Sequence, residues 1–426
     1  MLRAGRILSR MRIRVTGVAA LLLACSVFVF AQGQGAPAQG QGSGRGQGAA
    51  PQGTAFPGGR MSADGELLAA QPSSSLFSQE AYTQYEILEP GTEQFAITYL
   101  LENSTVGATT ISNATRKGSE GTNISVFDPR TGQPLKFTYD EQPNGDHAIK
   151  ATLLSPIPEG GIGRVLIYKT YKDARTYQMN GDNLVWVRSL AGYRLGVVLP
   201  KGFAFTSMNV AAQMSTTADG RLKLAFASPH GGSNLMTIHA HKSAVAFTPT
   251  AYTDMFFDDI KTLYTLDAPP AGDVPAAWKG RCVVEQTYSD TRKGATATIN
   301  ALDYMALTDL KVVDLDTAKA LTPVKQGKAT TVKLDVPITN DKQSAHLKVT
   351  GVIADGSYTL DKGDAVFSHV MKGLRNTVIL PVGYEVSAVS QSATIGRTRE
   401  TVPRVFVSLV NLNAENNYTV TIRARK

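Results

Sequence analysis

The histidine pair His239 and His241 is the first candidate for chemistry in this sequence. The two residues are separated by one residue in the segment "LMTIHAHK", and alternate residues of a strand share one face. Both imidazoles would therefore point the same way, an arrangement suited to a metal ion such as zinc. His230, in "SPHGGSN", resembles an oxyanion-hole sequence, although no G-x-S-x-G nucleophile motif accompanies it. The three histidines define one hypothesis, a hydrolase or metal-dependent enzyme with a site in the first half of the chain.

Two arginines and a tryptophan carry a second hypothesis, ligand binding. Gly192-x-Arg194 recurs as Gly373-x-Arg375, and guanidinium groups offer a planar donor fork to anions or glycans. We favour the structural alternative, in which the arginine stems cover apolar surface or pair with a nearby acid. Trp186 could form a sugar-binding platform, but a core position is the favoured interpretation.

Familiar catalytic signatures are missing from the sequence. It contains no H-E-x-x-H, no P-loop and no dinucleotide-binding glycine motif after a strand. We therefore predict no catalytic residue and no cofactor.

The N-terminal 31 residues have the form of a secretory signal peptide. Five arginines precede the apolar run "VTGVAALLLACSVFVF", and "VFA" offers small residues for cleavage after Ala31. Cys25 in "LLAC" matches a lipoprotein cleavage site, which leaves lipidation as a minor alternative. The apolar run is shorter than the roughly 20 residues that a membrane span needs, so no span is expected after signal cleavage.

Charge and cysteine content narrow the class of protein further. The chain has 43 basic and 35 acidic side chains, and loss of the five signal-peptide arginines leaves 38 against 35, a net charge of +3. This near balance, without a basic stripe, excludes nucleic acid as a favoured partner. Cys282 is the one cysteine left, so no intramolecular disulfide is expected. The position that matches Cys282 in the other half of the chain is apolar, which indicates a buried thiol.

Residues 32–80 begin with "QGQGAPAQGQGSGRGQGAAPQG", which has almost nothing to bury. This composition predicts a flexible linker. Its place after the signal peptide is typical of a tether or spacer.

The rest of the chain contains an internal duplication. "TYQMNGDNLVWVRSLAGYRLGVVLPKGF" aligns with "SYTLDKGDAVFSHVMKGLRNTVILPVGY", and the match continues in both directions. A period of about 185 residues indicates a duplicated domain rather than a solenoid. We predict domain 1 at 81–247 and domain 2 at 248–426, the latter with a Pro-rich insertion near 267–280.

Short alternating segments separated by turn clusters such as "DPRTG" and "NGD" predict that each copy is a β-sandwich. The fold class is thus all-β, with two tandem sandwiches. Only "FFDDIKTLYTL", near the junction, has a helical pattern. The repeated phrases "VVLPKGF" and "VILPVGY" predict a central strand that ends at Pro200 or Pro381, followed by a turn at Gly202 or Gly383.

One stretch, "AIKATLLSPIPEGGIGRVLIYKTY" (148–171), resembles a hairpin in the N-terminal β-sandwich of gluzincin aminopeptidases and of ribophorin-like domains. Those peptidases act through a separate zinc domain of which the sequence shows no trace, so the resemblance implies fold only. The whole chain also resembles exported bacterial proteins of uncharacterised activity that are built from such domains.

The favoured function is a non-enzymatic extracytoplasmic module for interaction or envelope structure, because the residues shared by the copies serve packing and turns. An envelope protein or glycan is the expected partner class. The exported enzyme built on the three histidines is the alternative. The sequence leaves open the ligand, the oligomeric state, and the choice between periplasm, secretion and cell surface.

Overall fold

The computed structural model describes residues 79–426, apart from 116, 191, 228–233, 251–259, 273, 276, 300–304, 306, 327–328, 399 and 413–416. It also describes a small antiparallel sheet before them, formed by β1 (Ala55–Phe56), β2 (Gly59–Met61) and β3 (Leu67–Leu68). The signal-peptide prediction, Cys25, His230 and most of the linker prediction lie outside the described residues. All described residues belong to one compact unit.

Fourteen strands follow in domain 1. In chain order they are β4 (Gln79–Ile87), β5 (Gln94–Asn103), β6 (Thr110–Thr115), β7 (Glu120–Phe127), β8 (Phe137–Glu141), β9 (His147–Thr152), β10 (Gly163–Lys172), β11 (Tyr177–Asn180), β12 (Asn183–Leu190), β13 (Arg194–Val198), β14 (Phe203–Met208), β15 (Gln213–Thr216), β16 (Leu222–Ala227) and β17 (Asn234–Lys242).

These strands form three sheets. The large sheet has the order β15-β16-β13-β4-β5-β10-β7, the four-stranded sheet the order β11-β12-β17-β14, and the small sheet the order β6-β9-β8. All pairings are antiparallel except that of β13 with β4. The side chains alternate strictly on β12, where Leu184, Trp186 and Leu190 are buried and Asn183 and Ser189 are exposed. One face of the four-stranded sheet therefore covers the large sheet and encloses the core, as in a β-sandwich.

Domain 2 contains fifteen described strands. They are β18 (Ile260–Leu266), β19 (Cys282–Asp290), β20 (Ala297–Ile299), β21 (Thr308–Asp314), β22 (Lys319–Leu321), β23 (Pro323–Gln326), β24 (Ala329–Lys333), β25 (Ala345–Ile353), β26 (Tyr358–Asp361), β27 (Asp364–Met371), β28 (Arg375–Ile379), β29 (Glu385–Val389), β30 (Thr394–Arg397), β31 (Val405–Val410) and β32 (Tyr418–Arg425).

The sheet orders of domain 2 repeat those of domain 1. They are β30-β31-β28-β18-β19-β25-β21-β22, β26-β27-β32-β29 and β20-β24-β23, and the one parallel pairing, β18 with β28, recurs in its place. The one difference is strand β22 at the edge of the large sheet of domain 2. In domain 1 that place is taken by an isolated bridge between Phe127 and Pro134. The prediction of an all-β fold with two tandem, duplicated sandwiches is confirmed.

The repeated proline–glycine phrase acts as predicted. Strand β13 lies between β16 and β4, with its five residues buried, and ends at Val198 before Pro200. Gly202 and Gly383 take φ angles of +77° and +80°, a region that glycine enters without steric cost. The amide of Phe203 then donates to the Pro200 carbonyl, which closes the turn.

The one segment with a helical pattern in its sequence is also a strand. Residues 260–266 of "FFDDIKTLYTL" form strand β18 rather than a helix. Thr262, Tyr264 and Leu266 are buried in alternation, because β18 is a central strand between β19 and β28. Tertiary pairing thus overrides the local helical pattern. The prediction for Cys282 is confirmed: the thiol is free and buried, and burial raises its pKa.

The two sandwiches meet through the same end of their large sheets. Ile162, just before β10, donates its amide to the Leu315 carbonyl at 2.7 Å. Ser344, just before β25, donates to the Pro129 carbonyl at the same distance. The duplication relates these two bonds to each other, so the contact is reciprocal, like that of a twofold dimer.

A buried ion pair completes this domain interface. Arg164 Nε and Nη2 donate to the two carboxylate oxygens of Asp316 at 2.6 and 2.7 Å, and Nη1 donates to Ser344 Oγ at 2.8 Å. Burial raises the pKa of Asp316, whereas the carboxylate raises the pKa of Arg164 against the effect of burial. The bidentate geometry requires both groups to be ionised, since a protonated carboxyl would place its hydrogen against the guanidinium.

Candidate functional site

His239 and His241 lie on the outer face of the four-stranded sheet of domain 1. They occupy β17 between β12 and β14, where His239 is opposite Val185 and His241 is opposite Asn183. Their inward neighbours on β17, Ile238 and Ala240, are buried in the core. His241 Nδ1 lies 3.0 Å from Thr206 Oγ1. The sheet therefore places both imidazoles on one solvent-facing surface, as strand alternation requires.

We call this surface the imidazole face; its described outward strand side chains include no Asp, Glu, Lys or Arg. Its outward side chains are aliphatic groups, hydroxyls, amides and imidazoles, namely Gln178, Asn180, Asn183, Val185, Val187, Ser189, Ala204, Thr206, Ser207, Leu235, Thr237, His239 and His241. Leu235 is 61% exposed. Such a surface offers both donors and acceptors next to apolar contact area.

The matching surface of domain 2 is ionic instead. Arg423 and Arg425 stand where domain 1 has His239 and His241. Arg423 Nη2 donates to Asp361 at 2.7 Å, and Arg425 Nε donates to Asp364 at 2.6 Å. In domain 1 the positions of those aspartates hold Asn180 and Asn183. The two copies thus share the topology of this sheet and differ in the chemistry of its outer face.

Both members of the sequence-predicted metal pair, His239 and His241, lie within the described residues. Among the described residues, no group of three or more His, Cys, Asp and Glu side chains is placed to hold a metal ion. No helix in that part of the chain is both long and apolar enough to cross a bilayer.

The three predicted ligand-binding residues lie away from the imidazole face. Trp186 is fully buried, and its ring lies 5.4 Å from Tyr85 and 6.4 Å from Phe95. Arg194 is 2% exposed; its Nε donates to the Ala81 carbonyl at 3.1 Å.

Arg375, the counterpart of Arg194, reaches across the domain interface. Its guanidinium lies over the Tyr193 ring of domain 1, 4.9 Å from the ring centre. A buried apolar cluster formed by Ala81, Tyr82, Leu100, Ala225 and Leu374 lies beside the two arginines. Both therefore belong to the junction of the two sandwiches, where each covers an aromatic ring of domain 1.

Sequence analysis missed a cationic cluster inside domain 1. The Arg188 guanidinium lies 5.3, 5.2 and 4.8 Å from the ring centres of Tyr85, Phe95 and Tyr171. Its Nη1 lies 3.9 Å from Asp173 Oδ2. Burial works against its charge, but the tyrosines outweigh burial and raise the pKa of Arg188. Burial likewise opposes the Asp173 charge, yet the hydrogen bonds from Arg175 lower the pKa of that carboxyl.

Lys169 is the second buried cation that the sequence analysis missed. It is 2% exposed on β10, and Nζ donates to Asn113 Oδ1 at 2.9 Å and to Thr115 Oγ1 at 3.0 Å. The alternation of inward and outward side chains along each strand predicts that both residues are buried. In "RVLIYKTY" Lys169 shares the parity of the buried Ile167 and Tyr171, and in "NLVWVRSL" Arg188 shares that of Trp186.

A cavity of about 380 Å³ opens beside this end of domain 1. Its lining consists of Gly91, Glu93, Ala174, Tyr177, Gln178 and Met179. The Asp173 amide donates to the Glu93 carbonyl at 3.1 Å and joins the two walls. The lining mixes one carboxylate, one amide and one thioether, without a set of converging polar groups.

Comparisons with known proteins give no family for this chain. No protein-family model and no curated protein matches it. An M1 zinc metallopeptidase from Deinococcus radiodurans is similar over 50% of this chain and 47% of its own, with 11% identity and a TM-score of 0.29. This chain therefore spans about half of that peptidase structure.

Two further solved structures are less similar. A putative protease from Parabacteroides distasonis ATCC 8503 covers 82% of this chain and 93% of its own, at 10% identity and a TM-score of 0.25. The collagen-binding domain of surface protein RspB from Erysipelothrix rhusiopathiae covers 80% and 97%, at 11% identity and a TM-score of 0.14. Similarities of this size assign no activity to the chain.

Proposed function

We propose that the protein is a non-enzymatic extracytoplasmic module that binds an envelope component through the imidazole face of domain 1. The observation that carries this proposal is the contrast between the two matched outer faces. In domain 2, the arginines are engaged by Asp361 and Asp364. In domain 1, the same positions hold imidazole and amide side chains that are exposed or half-buried.

The chemistry of the face defines the partner. Imidazole, amide and hydroxyl groups beside Val185 and Leu235 suit an uncharged ligand that bears hydroxyl or amide groups, since neutral donors and acceptors need no counter-charge. An envelope glycan or an uncharged protein surface has this chemistry. The rest of the molecule has a supporting role in the proposal: the domain interface holds domain 2 in place as a spacer or second contact.

The proposed location follows from the N-terminal sequence. A signal peptide at 1–31 would export the chain to the periplasm, the medium or the cell surface of a bacterium, and the Gly/Gln-rich segment at 32–80 would give the sandwiches clearance from a surface. Acylation at Cys25 is the alternative route to an envelope attachment.

A binding experiment with matched variants tests the proposal. Purified mature protein is incubated with envelope glycan strands and, separately, with envelope proteins, and the bound fraction is measured. The double variant His239→Thr, His241→Thr should lose about tenfold or more in affinity, equivalent to about 1.4 kcal/mol. The control, Arg423→Thr with Arg425→Thr, changes the matched positions of domain 2 and should bind like the wild type.

Two results would contradict the proposal. Equal binding by the histidine variant would remove the imidazole face from any role in recognition. Hydrolysis of a glycan or peptide panel that disappears in the histidine variant would instead support the alternative function, an exported enzyme with its site in domain 1.

A further inference from the structure

The surroundings of Lys169 bring an amine and a carboxamide into contact inside domain 1. Lys169 projects from β10 of the large sheet, and Asn113 projects from β6 of the small sheet; they are 2% and 6% exposed. Lys169 Nζ lies 2.9 Å from Asn113 Oδ1. The rings of Tyr99 and Tyr171 flank the amine, with their centres 5.1 and 5.4 Å from Nζ.

This geometry resembles the start of an acyl transfer. The hydrogen bond to Asn113 Oδ1 keeps the amine nitrogen close to the carbonyl group that it would attack, and fixed contact of this kind replaces an improbable encounter. Removal of Lys169 from water disfavours the charged ammonium relative to the amine. The neutral amine is the nucleophilic form.

We propose that Lys169 and Asn113 join through an intramolecular amide bond. The Nζ–Cγ bond forms, the Cγ–Nδ2 bond of Asn113 breaks, and one molecule of ammonia leaves. The step needs no oxidant or reductant. One proton passes from Nζ to the departing nitrogen, and Thr115 Oγ1, 3.0 Å from Nζ, is placed to relay it.

Domain 2 provides an internal comparison. Gly351 of β25 occupies the position of Lys169, because Gly351 pairs with Val284 as Lys169 pairs with Ile97. Thr298 of β20 corresponds to Ile111, because Thr298 pairs with Val332 as Ile111 pairs with Ala151. The position of Asn113 in domain 2 is therefore 300, which lies outside the described residues. The amine is thus present in domain 1 and absent from the matched position of domain 2.

The bond would tie the small sheet of domain 1 to its large sheet. These two sheets belong to separate hydrogen-bonded networks, so a covalent link between β6 and β10 would hold them together under mechanical load or denaturation. Such a link suits a protein that works outside the cell without a disulfide in its described residues, and it is independent of what the imidazole face binds.

Intact mass under denaturing conditions tests the proposal. The purified protein should weigh one ammonia less than its sequence predicts. Lys169→Gln and Asn113→Ala should each have their full sequence mass. Asn113→Asp should lose one water instead and reach the same final mass as the wild type, because the cross-linked products are identical.

Peptide mapping locates the bond and excludes a second source of ammonia loss. An N-terminal glutamine such as Gln32 also loses ammonia when it cyclises. Trypsin should therefore yield residues 61–116 joined to 165–172, with no cleavage after Lys169. Lys223→Gln, which changes another buried lysine of domain 1, should keep the cross-link.

The wild-type spectrum alone can overturn the proposal, even where a variant fails to fold. Wild-type protein at its full sequence mass, or an ammonia loss confined to the N-terminal peptide, would show that Lys169 and Asn113 remain a hydrogen-bonded pair.

Discussion

At the scale of single residues, the two copies differ most in the polarity of their interiors. Lys169 and Arg188 point into domain 1, whereas Gly351 and His369 take those places in domain 2. Burying a cation is costly unless other groups compensate. For Arg188 in domain 1, the compensation comes from aromatic rings and from Asp173. In domain 2 the histidine can avoid the cost by staying neutral.

The behaviour of His369 leads to a prediction about pH. Burial lowers its pKa from 6.5, although Asp355 acts in the opposite direction. The unfolded chain then binds a proton at a higher pH than the folded protein, so stability rises with pH in this range. The contribution is complete above about pH 6.5 and is lost as the pH falls toward the folded pKa, by about 1.4 kcal/mol for each unit of pKa difference.

Urea unfolding at several pH values between about 5 and 8 measures this slope. His369→Gln should reduce it, because glutamine does not titrate. Arg188→Gln at the matched position of domain 1 removes a group that stays charged throughout, and should leave the slope unchanged. An unaltered slope in His369→Gln would show that other groups control the acid sensitivity of domain 2.

At the scale of elements, Gly373 shows how a loop fixes the start of β28. Its φ is +87°, and a Cβ atom there would lie 2.8 Å from Ile260 Cβ and 3.2 Å from the Ile260 carbonyl oxygen. Gly363 has the same φ but no neighbour within 4 Å. The two glycines therefore separate the cost of backbone conformation from the cost of close packing.

Alanine substitutions test this distinction. Gly363→Ala should destabilise the protein by about 1–2 kcal/mol, the cost of a left-handed residue with a Cβ atom. Gly373→Ala should cost about 1–3 kcal/mol more, because it also displaces Ile260 at the start of β18. Denaturant midpoints measure both. Equal losses would mean that β18 shifts without resistance.

Strands and turns were predictable from the sequence where local patterns agree with the fold. The phrase ending in Pro200 and Gly202 predicts its own strand end and turn, and the duplication predicts the shared topology. The helical pattern of the sequence at 260–266 gave no sign of strand β18, because its parallel pairing with β28 is a contact with a distant segment. The sequence predicted that His239 and His241 share one face. It did not predict which residues of β12 and β14 lie beside them, because this depends on the register of the strand pairing.

The domain interface was not predictable in the same way. Arg164 and Asp316 are 152 residues apart in the sequence, and neither stands in a motif that signals pairing. Their equivalents in the other copy, His346 and Arg130, differ from them, so the duplication gave no sign of a shared role. The carbonyls of Pro129 and Leu315 accept the reciprocal backbone hydrogen bonds of the interface. Such bonds do not depend on the type of side chain, so the sequence does not predict them.

At the scale of the whole molecule, this interface makes the two sandwiches one body. The charges at this interface fit a pair of unlike domains. Arg164 of domain 1 contacts Asp316 of domain 2, whereas two copies of domain 1 would place Arg164 against Arg130. Like charges in contact oppose that alternative. The interface therefore favours pairing between the unlike copies over pairing between like ones.

Cleavage of the connection between the domains tests how firmly they hold. With a specific protease site introduced between residues 243 and 259, the cut wild-type protein should still elute as one particle in size-exclusion chromatography, because the backbone bonds, the apolar cluster and the Arg164–Asp316 pair remain. Asp316→Leu leaves Arg164 buried opposite an apolar group, which should weaken the interface by about 3–5 kcal/mol and separate the fragments on dilution. Glu385→Leu removes the partner of the exposed Arg397, should cost under about 1 kcal/mol, and serves as the control. Separation of the wild-type fragments immediately after cleavage would mean that the covalent connection, rather than the interface, keeps the sandwiches together.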